Sequence, residues 1–480
     1  MSLLVEYFPD SSIAFCVTVA ASLVFICYMV FDTVYNLSLS PLASFPGPKL
    51  WAVSNIPRQV SILGGRSHLT ILALHNRYGP VVRTGPNELS FNNPQGFRDI
   101  YGLRHGQPPF RKDPEFYGSP LNGIGNSIGG DIDIAFHSRQ SLREQEQIVV
   151  YYVDLLIQRL RERTNINEMH SAEEDIKIWF NFITFDIIGD LMFAESFDCL
   201  KDSQLHPWIA CIFDNVKGIA LLGVLNQYPL FRRIHGVLLP KSLKRKLLEH
   251  QNLCVQKTGC RLQRGASRPD FVTQSSDMDS LTIAGSETTA ALLSGCLYYI
   301  CKHTYIMNQL CKEIRTAFSR DEEITSSKCF GLKYLNAVLE ESLRMYPPVA
   351  GNLPRLVPKG GSIINGHFIP GDVTVSTHQY ASYHSPTNFA LPEQFIPERW
   401  LGTDNRFDPD KRGVLQPFIL GPRNCLGKKL AYMEMRLILS KLVFNFDIDL
   451  APLGDNWNEQ KGFIVWDRPP LMVRLVDRFA

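Results

Sequence analysis

The residues with the clearest chemical capacity lie at 418–427, Phe418-Ile-Leu-Gly421-Pro-Arg423-Asn-Cys425-Leu-Gly427, ahead of an amphipathic stretch from Lys428 to Lys441. This pattern predicts a cysteine at the start of a helix, preceded by a tight turn. A helix N-terminus presents unpaired backbone N–H groups and a positive dipole end, and both favour a thiolate over a thiol. Gly421 lets the turn approach a flat ligand, and Gly427 removes side-chain bulk just past the sulfur. Phe418 is placed to cover the sulfur from water, and Arg423 to pair with a carboxylate. The chain has 11 cysteines, with no repeated spacing and no Cys-x-x-Cys pair. The other ten read as small buried hydrophobes rather than a disulfide framework.

A thiolate is a suitable axial ligand for haem iron, because it pushes electron density toward O–O cleavage. The five fixed positions of FxxGxRxCxG, each matched by chance about 5% of the time, would arise in roughly one chain of this length in several thousand. On these residues the sequence resembles the cytochrome P450 family. Ala284-Gly285-Ser286-Glu287-Thr288-Thr289 looks like that family's central helix above the haem. Gly in a helix costs about 1 kcal/mol, and Ser/Thr can bend a helix by bonding its own carbonyls, which opens a notch for O2. The resemblance implies that Thr288 bonds the bound oxygen and that Glu287 helps relay protons. Glu341-Ser-Leu-Arg344 matches the family's ExxR, and Pro397-Glu-Arg399-Trp its partner segment. Arg399 would complete a buried Glu341–Arg344–Arg399 cluster that serves folding and haem retention. Arg355 and Arg423 would hold haem propionates, with His137 as a third contact. Lys428 and Lys429 lie where an acidic reductase surface would dock.

The elements that must position these residues are mostly helical. Apolar residues at three- and four-residue spacing predict helices over Leu142–Arg163, Asp175–Phe193, Ile283–Ala317 and Leu335–Met345. Short strands are expected at Val81–Arg83 with Glu88–Phe91, within Ser362–Val375, and as a pair near Phe463–Trp466 and Leu471–Leu475. From Pro386 to Pro417 a long meandering loop is expected. The fold class is mainly α with a minor β-sheet, and the resemblance makes it a cytochrome P450 fold.

Composition bounds the rest. The chain has 480 residues, 45% hydrophobic and 20% charged, with net charge +2, which excludes disordered and collagen-like classes. No basic patch interleaves with aromatics, so no nucleic-acid partner is expected. Residues 13–31 carry no charge and are long enough to cross a bilayer. Five basic and no acidic residues follow between Lys49 and Arg83, which places the body on the cytosolic side. The expected organisation is a lumenal 1–12, an anchor at 13–31, a Pro-rich linker at 32–48 and a haem-thiolate domain at 49–480. Asn36-Leu-Ser38 matches a glycosylation acceptor but falls on the wrong side of that topology.

The resemblance implies a monooxygenase (EC 1.14) with haem b, acting on an apolar substrate with O2. Electrons would come from NADPH-cytochrome P450 reductase, because the chain has no glycine loop of its own for a nicotinamide. Single-pass insertion in the endoplasmic reticulum membrane, against lipid, follows. The runs Leu142–Leu160, Phe185–Asp190 and Ser382–Gly402 look like fungal membrane-bound enzymes of secondary metabolism, an isotrichodermin hydroxylase-like group, which implies a terpenoid or polyketide substrate. Phe110–Gly130, Leu205–Leu239 and the turn near Phe463 would border its pocket. Two stretches depart from the family pattern. Ser141 stands where a propionate-binding Arg is expected after Gln140, and only residues 272–283 separate Phe271 from the Ala284 motif. They give a second reading: a non-catalytic or misfolded product lacking parts of the helices around the haem.

Overall fold

The computed structural model describes residues 9–104, 106, 108–117, 139–166, 170–204, 206, 216–225, 227–228, 278–451, 456–463 and 465–480, with single positions 245, 252, 256 and 259 between them. The long helices are α1 (Pro9–Val34), α2 (Arg139–Thr164), α3 (Ile176–Phe193), α4 (Met278–Lys302), α5 (Thr304–Ala317), α6 (Lys333–Met345) and α7 (Lys428–Asn445). The strands are β1 (Val81–Gly85), β2 (Glu88–Phe91), β3 (Arg111–Lys112), β4 (Ser171–Asp175), β5 (Arg355–Leu356), β6 (Ser362–Ile364), β7 (His367–Ile369), β8 (Thr374–Thr377), β9 (Phe446–Leu450) and β10 (Met472–Asp477). They form a five-stranded sheet in the order β1-β2-β8-β5-β3, a three-stranded sheet β4-β10-β9 and the hairpin β6-β7. The mainly helical expectation with a minor sheet therefore holds.

The core is built on α3 and α4. Both are apolar on nearly every face, the mark of an interior helix, and residues 290–300 of α4 are all buried. Gly285 lets them approach, since a Cβ there would lie 2.8 Å from Ile188 Cδ1 on α3. The single helix expected over Ile283–Ala317 is two. His303 leaves helical geometry at φ −118, ψ 87, and its ring Nδ1 sits 2.8 Å from the Tyr299 carbonyl. The strand pair expected between Phe463–Trp466 and Leu471–Leu475 also fails. β10 instead pairs with β9 and with β4, a polar segment whose sequence gave no strand signal. Pro469 and Pro470 carry no N–H to donate to such a ladder.

The Pro-rich segment after α1 is docked on the body rather than free. Arg83, 2% exposed, donates from Nη1 to the Asn36 carbonyl at 2.6 Å and from Nη2 to Asn36 Oδ1 at 3.2 Å and the Pro86 carbonyl at 2.6 Å. Its backbone N–H bonds the Pro46 carbonyl. Asn36, buried in this contact, is unavailable as a glycosylation acceptor.

The meander 386–417 contains three short 3-10 turns and is tied to α6 through Glu341. Glu341 Oε1 accepts from Arg344 Nη2 (2.8 Å), Arg399 Nε (3.1 Å) and the Ile396 N–H (2.8 Å). Oε2 accepts from Arg344 Nε and from Trp400 Nε1, both at 2.9 Å. Arg399 Nη1 also meets Asp410 Oδ2 at 2.6 Å. The Glu341, Arg344 and Arg399 side chains are 0% exposed. Burial pushes the Glu341 carboxyl up, but the two guanidinium groups and the Ile396 N–H outweigh it and hold the group below its ordinary value. Glu434 on α7 is the opposite case. It is buried among apolar neighbours, and burial pushes its carboxyl up to about 8, opposed only by the Thr289 hydroxyl of α4.

Two predictions follow from these carboxyls. Glu341→Gln leaves the buried Arg344 guanidinium without a carboxylate and Arg399 with Asp410 alone, and should cost about 3–5 kcal/mol in a denaturant titration; an unchanged midpoint would refute the cluster's role. Glu434, raised from 4.5 to about 8, stabilises the fold fully below pH 4.5 and loses that contribution as pH rises through about 8. The stability of Glu434→Gln relative to the parent should therefore climb by about 1.4 kcal/mol per pH unit across that window, and a flat difference would count against it.

Candidate active site

Cys425 sits three residues ahead of α7, in a turn that the chain enters through Ile419 and Gly421. Its N–H bonds the Phe418 carbonyl at 2.8 Å, and the Asn424 N–H bonds the Gly421 carbonyl at 3.1 Å, closing the turn on both sides. Gly421 has φ +75, and a Cβ there would lie 2.1 Å from the Tyr101 carbonyl oxygen. Its smallness thus serves contact with the backbone at Tyr101–Gly102. Ile419 is held at φ 59, a region that costs a β-branched residue about 1–3 kcal/mol. No sequence pattern announces that strain.

Among the described residues, Cys425 is the one exposed cysteine outside α1. Cys16 and Cys27 are exposed on the anchor, unlike the buried hydrophobes expected, while Cys199, Cys296 and Cys329 are buried. Burial of its surroundings pushes the Cys425 thiol up. The backbone N–H groups of Gly427 and Lys428 and the Lys428 charge pull it down. These are the donors a bound thiolate needs, and coordination to a cation would add the remaining stabilisation. A Cβ on Gly427 would meet nothing but the Cys425 sulfur, at 4.0 Å, so this glycine keeps the sulfur's flank open. Phe418 packs on Tyr432 at 5.2 Å and lies under Lys428 Nζ at 5.7 Å.

The residues fit a haem on a second count. Arg355 is buried, and among the described residues its guanidinium bonds neutral oxygens only: Tyr117 OH at 2.8 Å and the carbonyls of Leu353 and Pro354. A buried cation of this kind suits an anionic carboxylate such as a propionate. Arg423 donates to the Phe110 carbonyl at 2.7 Å. His137 lies outside the described residues, as do the Ser141 side chain and most of the stretches expected to border the pocket.

On α4 the hydroxyls of Ser286, Thr288 and Ser294 each donate back to their own helix, Thr288 to the Ala284 carbonyl at 2.7 Å. Glu287 is buried, and Arg468 Nη2 donates to its Oε1 at 2.6 Å, while among the described residues Oε2 has no hydrogen-bond partner. Arg468 also bonds Asn181 Oδ1 and Ser294 Oγ. Burial pushes the Glu287 carboxyl up, with the Arg468 and Lys177 charges opposing. Arg468 and Asn181 escape a sequence reading because they lie 181 and 106 positions from Glu287 with no motif around them.

The model of the family described as Cytochrome P450 matches residues 133–475. The chain is 40% identical to the cytochrome P450 monooxygenase astJ of Aspergillus oryzae, over 94% of this chain and 95% of that protein. It is 41% identical to the trichothecene C-15 hydroxylase of Fusarium sporotrichioides, over 94% and 96%. With the monooxygenase efuB of Hormonema carpetanum the figures are 39% identity, 97% and 97%. Alignment through nearly the full length of such relatives does not favour the reading as a non-catalytic product. With a cysteine turn that suits a thiolate ligand, a buried ExxR cluster and these relatives, the chain belongs to the cytochrome P450 family and is a haem-thiolate monooxygenase that uses O2, a redox partner and a hydrophobic substrate.

Proposed function

We propose that Cys425 is the axial thiolate of a haem b, and that the chain oxidises an apolar terpenoid or polyketide in a fungal biosynthetic pathway. The observation that carries the site assignment is the accessible Cys425 sulfur, held at the start of α7 beside the Gly427 and Lys428 N–H groups. When bound, the haem supplies the oxidising chemistry that puts one oxygen atom of O2 into a C–H bond, the other leaving as water. Arg355, Arg423 and His137 hold its propionates, and Phe418 keeps water from the sulfur. Gly421 and Gly427 shape the turn. Glu341, Arg344 and Arg399 hold the meander that leads into it. Thr288 donates to its own helix and keeps lone pairs free to accept a hydrogen bond in the pocket. Glu287 keeps Oε2 for a proton while Arg468 fixes Oε1.

The electron donor is NADPH-cytochrome P450 reductase, docking on the exposed Lys428 and Lys429. The location is the endoplasmic reticulum membrane, with residues 1–12 lumenal, 13–31 spanning, 32–48 linking and 49–480 cytosolic. What supports this is α1, whose stretch from Ala14 is apolar and unburied, and the basic excess after Lys49. The relative named as a trichothecene hydroxylase supports a terpenoid-like substrate, though shared fold does not transfer substrate.

Cys425→Ala should abolish the red-shifted band of the reduced carbon-monoxide difference spectrum; a band that survives would move the ligand elsewhere. Thr288→Ala should leave that band in place yet raise NADPH consumption per product, because a positioned proton-transfer contact is lost. Unchanged coupling would remove Thr288 from proton delivery.

A further inference from the structure

A cavity of about 390 Å³ lies far from the cysteine turn, where the anchor meets the catalytic body. Asp32, Tyr35 and Asn36 form one wall, at the end of α1 and just past it, and Pro86, Asn87 and Pro370 belong to the opposite wall. The walls come from separate parts of the chain, and the Arg83 contacts to Asn36 and Pro86 lock them together. The cavity is therefore a fixed feature of the docked anchor.

Its chemistry is specific. Asp32 is half-buried and makes no ion pair among the described residues. Tyr35 lines the same space, 41% exposed, with its ring stacked on Phe31 at 6.4 Å. Asp32 and Tyr35 thus line one cavity, and a carboxylate together with an aromatic face is the combination that recognises an ammonium, by charge and by the ring quadrupole. The surroundings say where that ammonium comes from. Phe31, Val34, Leu37 and Leu39 are all exposed around the cavity's anchor wall. They sit at the cytosolic end of a span whose apolar face continues unbroken from Ala14, so the mouth lies level with lipid headgroups.

We infer that this cavity binds the ammonium end of a zwitterionic phospholipid headgroup, between the Asp32 carboxylate and the Tyr35 ring, with the acyl chains running back along α1. The inference rests on α1 lying in a membrane. The headgroup bridges anchor and body, so lipid composition sets how firmly the body is held at the surface.

The test uses the full haem-loaded chain, delipidated in detergent and equilibrated with dioctanoylphosphatidylcholine or dioctanoylphosphatidylglycerol. These share tails and phosphate, and only the first carries an ammonium. Native mass spectrometry should find the choline lipid retained about five-fold over the glycerol lipid, the scale of one ion pair with one cation–π contact. Asp32→Asn should bring the ratio to parity, and Tyr35→Leu should lower it, both with unchanged haem spectra. Equal retention by the unsubstituted chain, or a preference that survives Asp32→Asn, overturns the inference while leaving the anchor intact. Failure of the chain to co-sediment with phosphatidylcholine vesicles overturns the anchor and the inference together.

Discussion

The Glu341 carboxylate is buried beyond the reach of water, and the chain leading to Cys425 hangs from it. An ion in that position costs several kcal/mol unless nearly every lone pair finds a donor. Five bonds from Arg344, Arg399, Ile396 and Trp400 meet that demand. Three of the donors belong to the meander, not to a helix, so the charge organises a segment that has little regular structure of its own. Arg344 extends the hold through the carbonyls of Tyr383, Pro392 and Gln394, and Arg399 through Asp410. The meander then reaches Gln416, whose N–H bonds the Tyr383 hydroxyl, two residues before the cysteine turn begins. A framework this stiff can keep Ile419 in a left-handed conformation that a looser loop would relax.

Three buried glutamates show how donor number sets the use of a carboxyl. Glu341, with two guanidinium groups and two N–H donors, is a permanent anion and can only be structural. Glu434 faces one hydroxyl and stays protonated at neutral pH, a neutral strut between α7 and α4. Glu287 lies between these cases. One oxygen is pinned by Arg468 and the other has no hydrogen-bond partner among the described residues, so it is the one of the three whose charge state can respond to its surroundings. Burial is common to all of them, and the partners decide the outcome.

Legibility in the sequence follows the same division. The thiolate turn, ExxR and the Ala284–Thr289 motif were readable because each packs its chemistry into four to ten contiguous residues. Helices α2, α3, α6 and α7 were readable from periodicity to within a few residues. The partners that complete each site were not. Asp410 joins Arg399, and Arg468 joins Glu287, through loops whose composition signals only irregularity. Close approaches were equally hidden: Gly285 makes room for Ile188 and Gly421 for the Tyr101 carbonyl, and no local pattern announces either neighbour. β4 was invisible because its polar sequence pairs with β10 only through tertiary context.

The buried arginines separate what the body holds by itself from what it holds for something else. Arg344, Arg399 and Arg468 each meet a carboxylate of the body, so their charges close within it. Arg83 and Arg355 meet neutral oxygens, and a guanidinium is left to carbonyl dipoles only where its position matters more than its neutralisation. Arg355 donates only to Tyr117 OH and the Leu353 and Pro354 carbonyls among the described residues, so its charge is one that a ligand carboxylate would complete. Arg83 spends its donors on Asn36 and Pro86, which makes the linker part of the folded body. The segment after α1 is therefore no loose tether: it is held by Arg83 on β1, an outer strand of the same five-stranded sheet that carries Arg355 on β5.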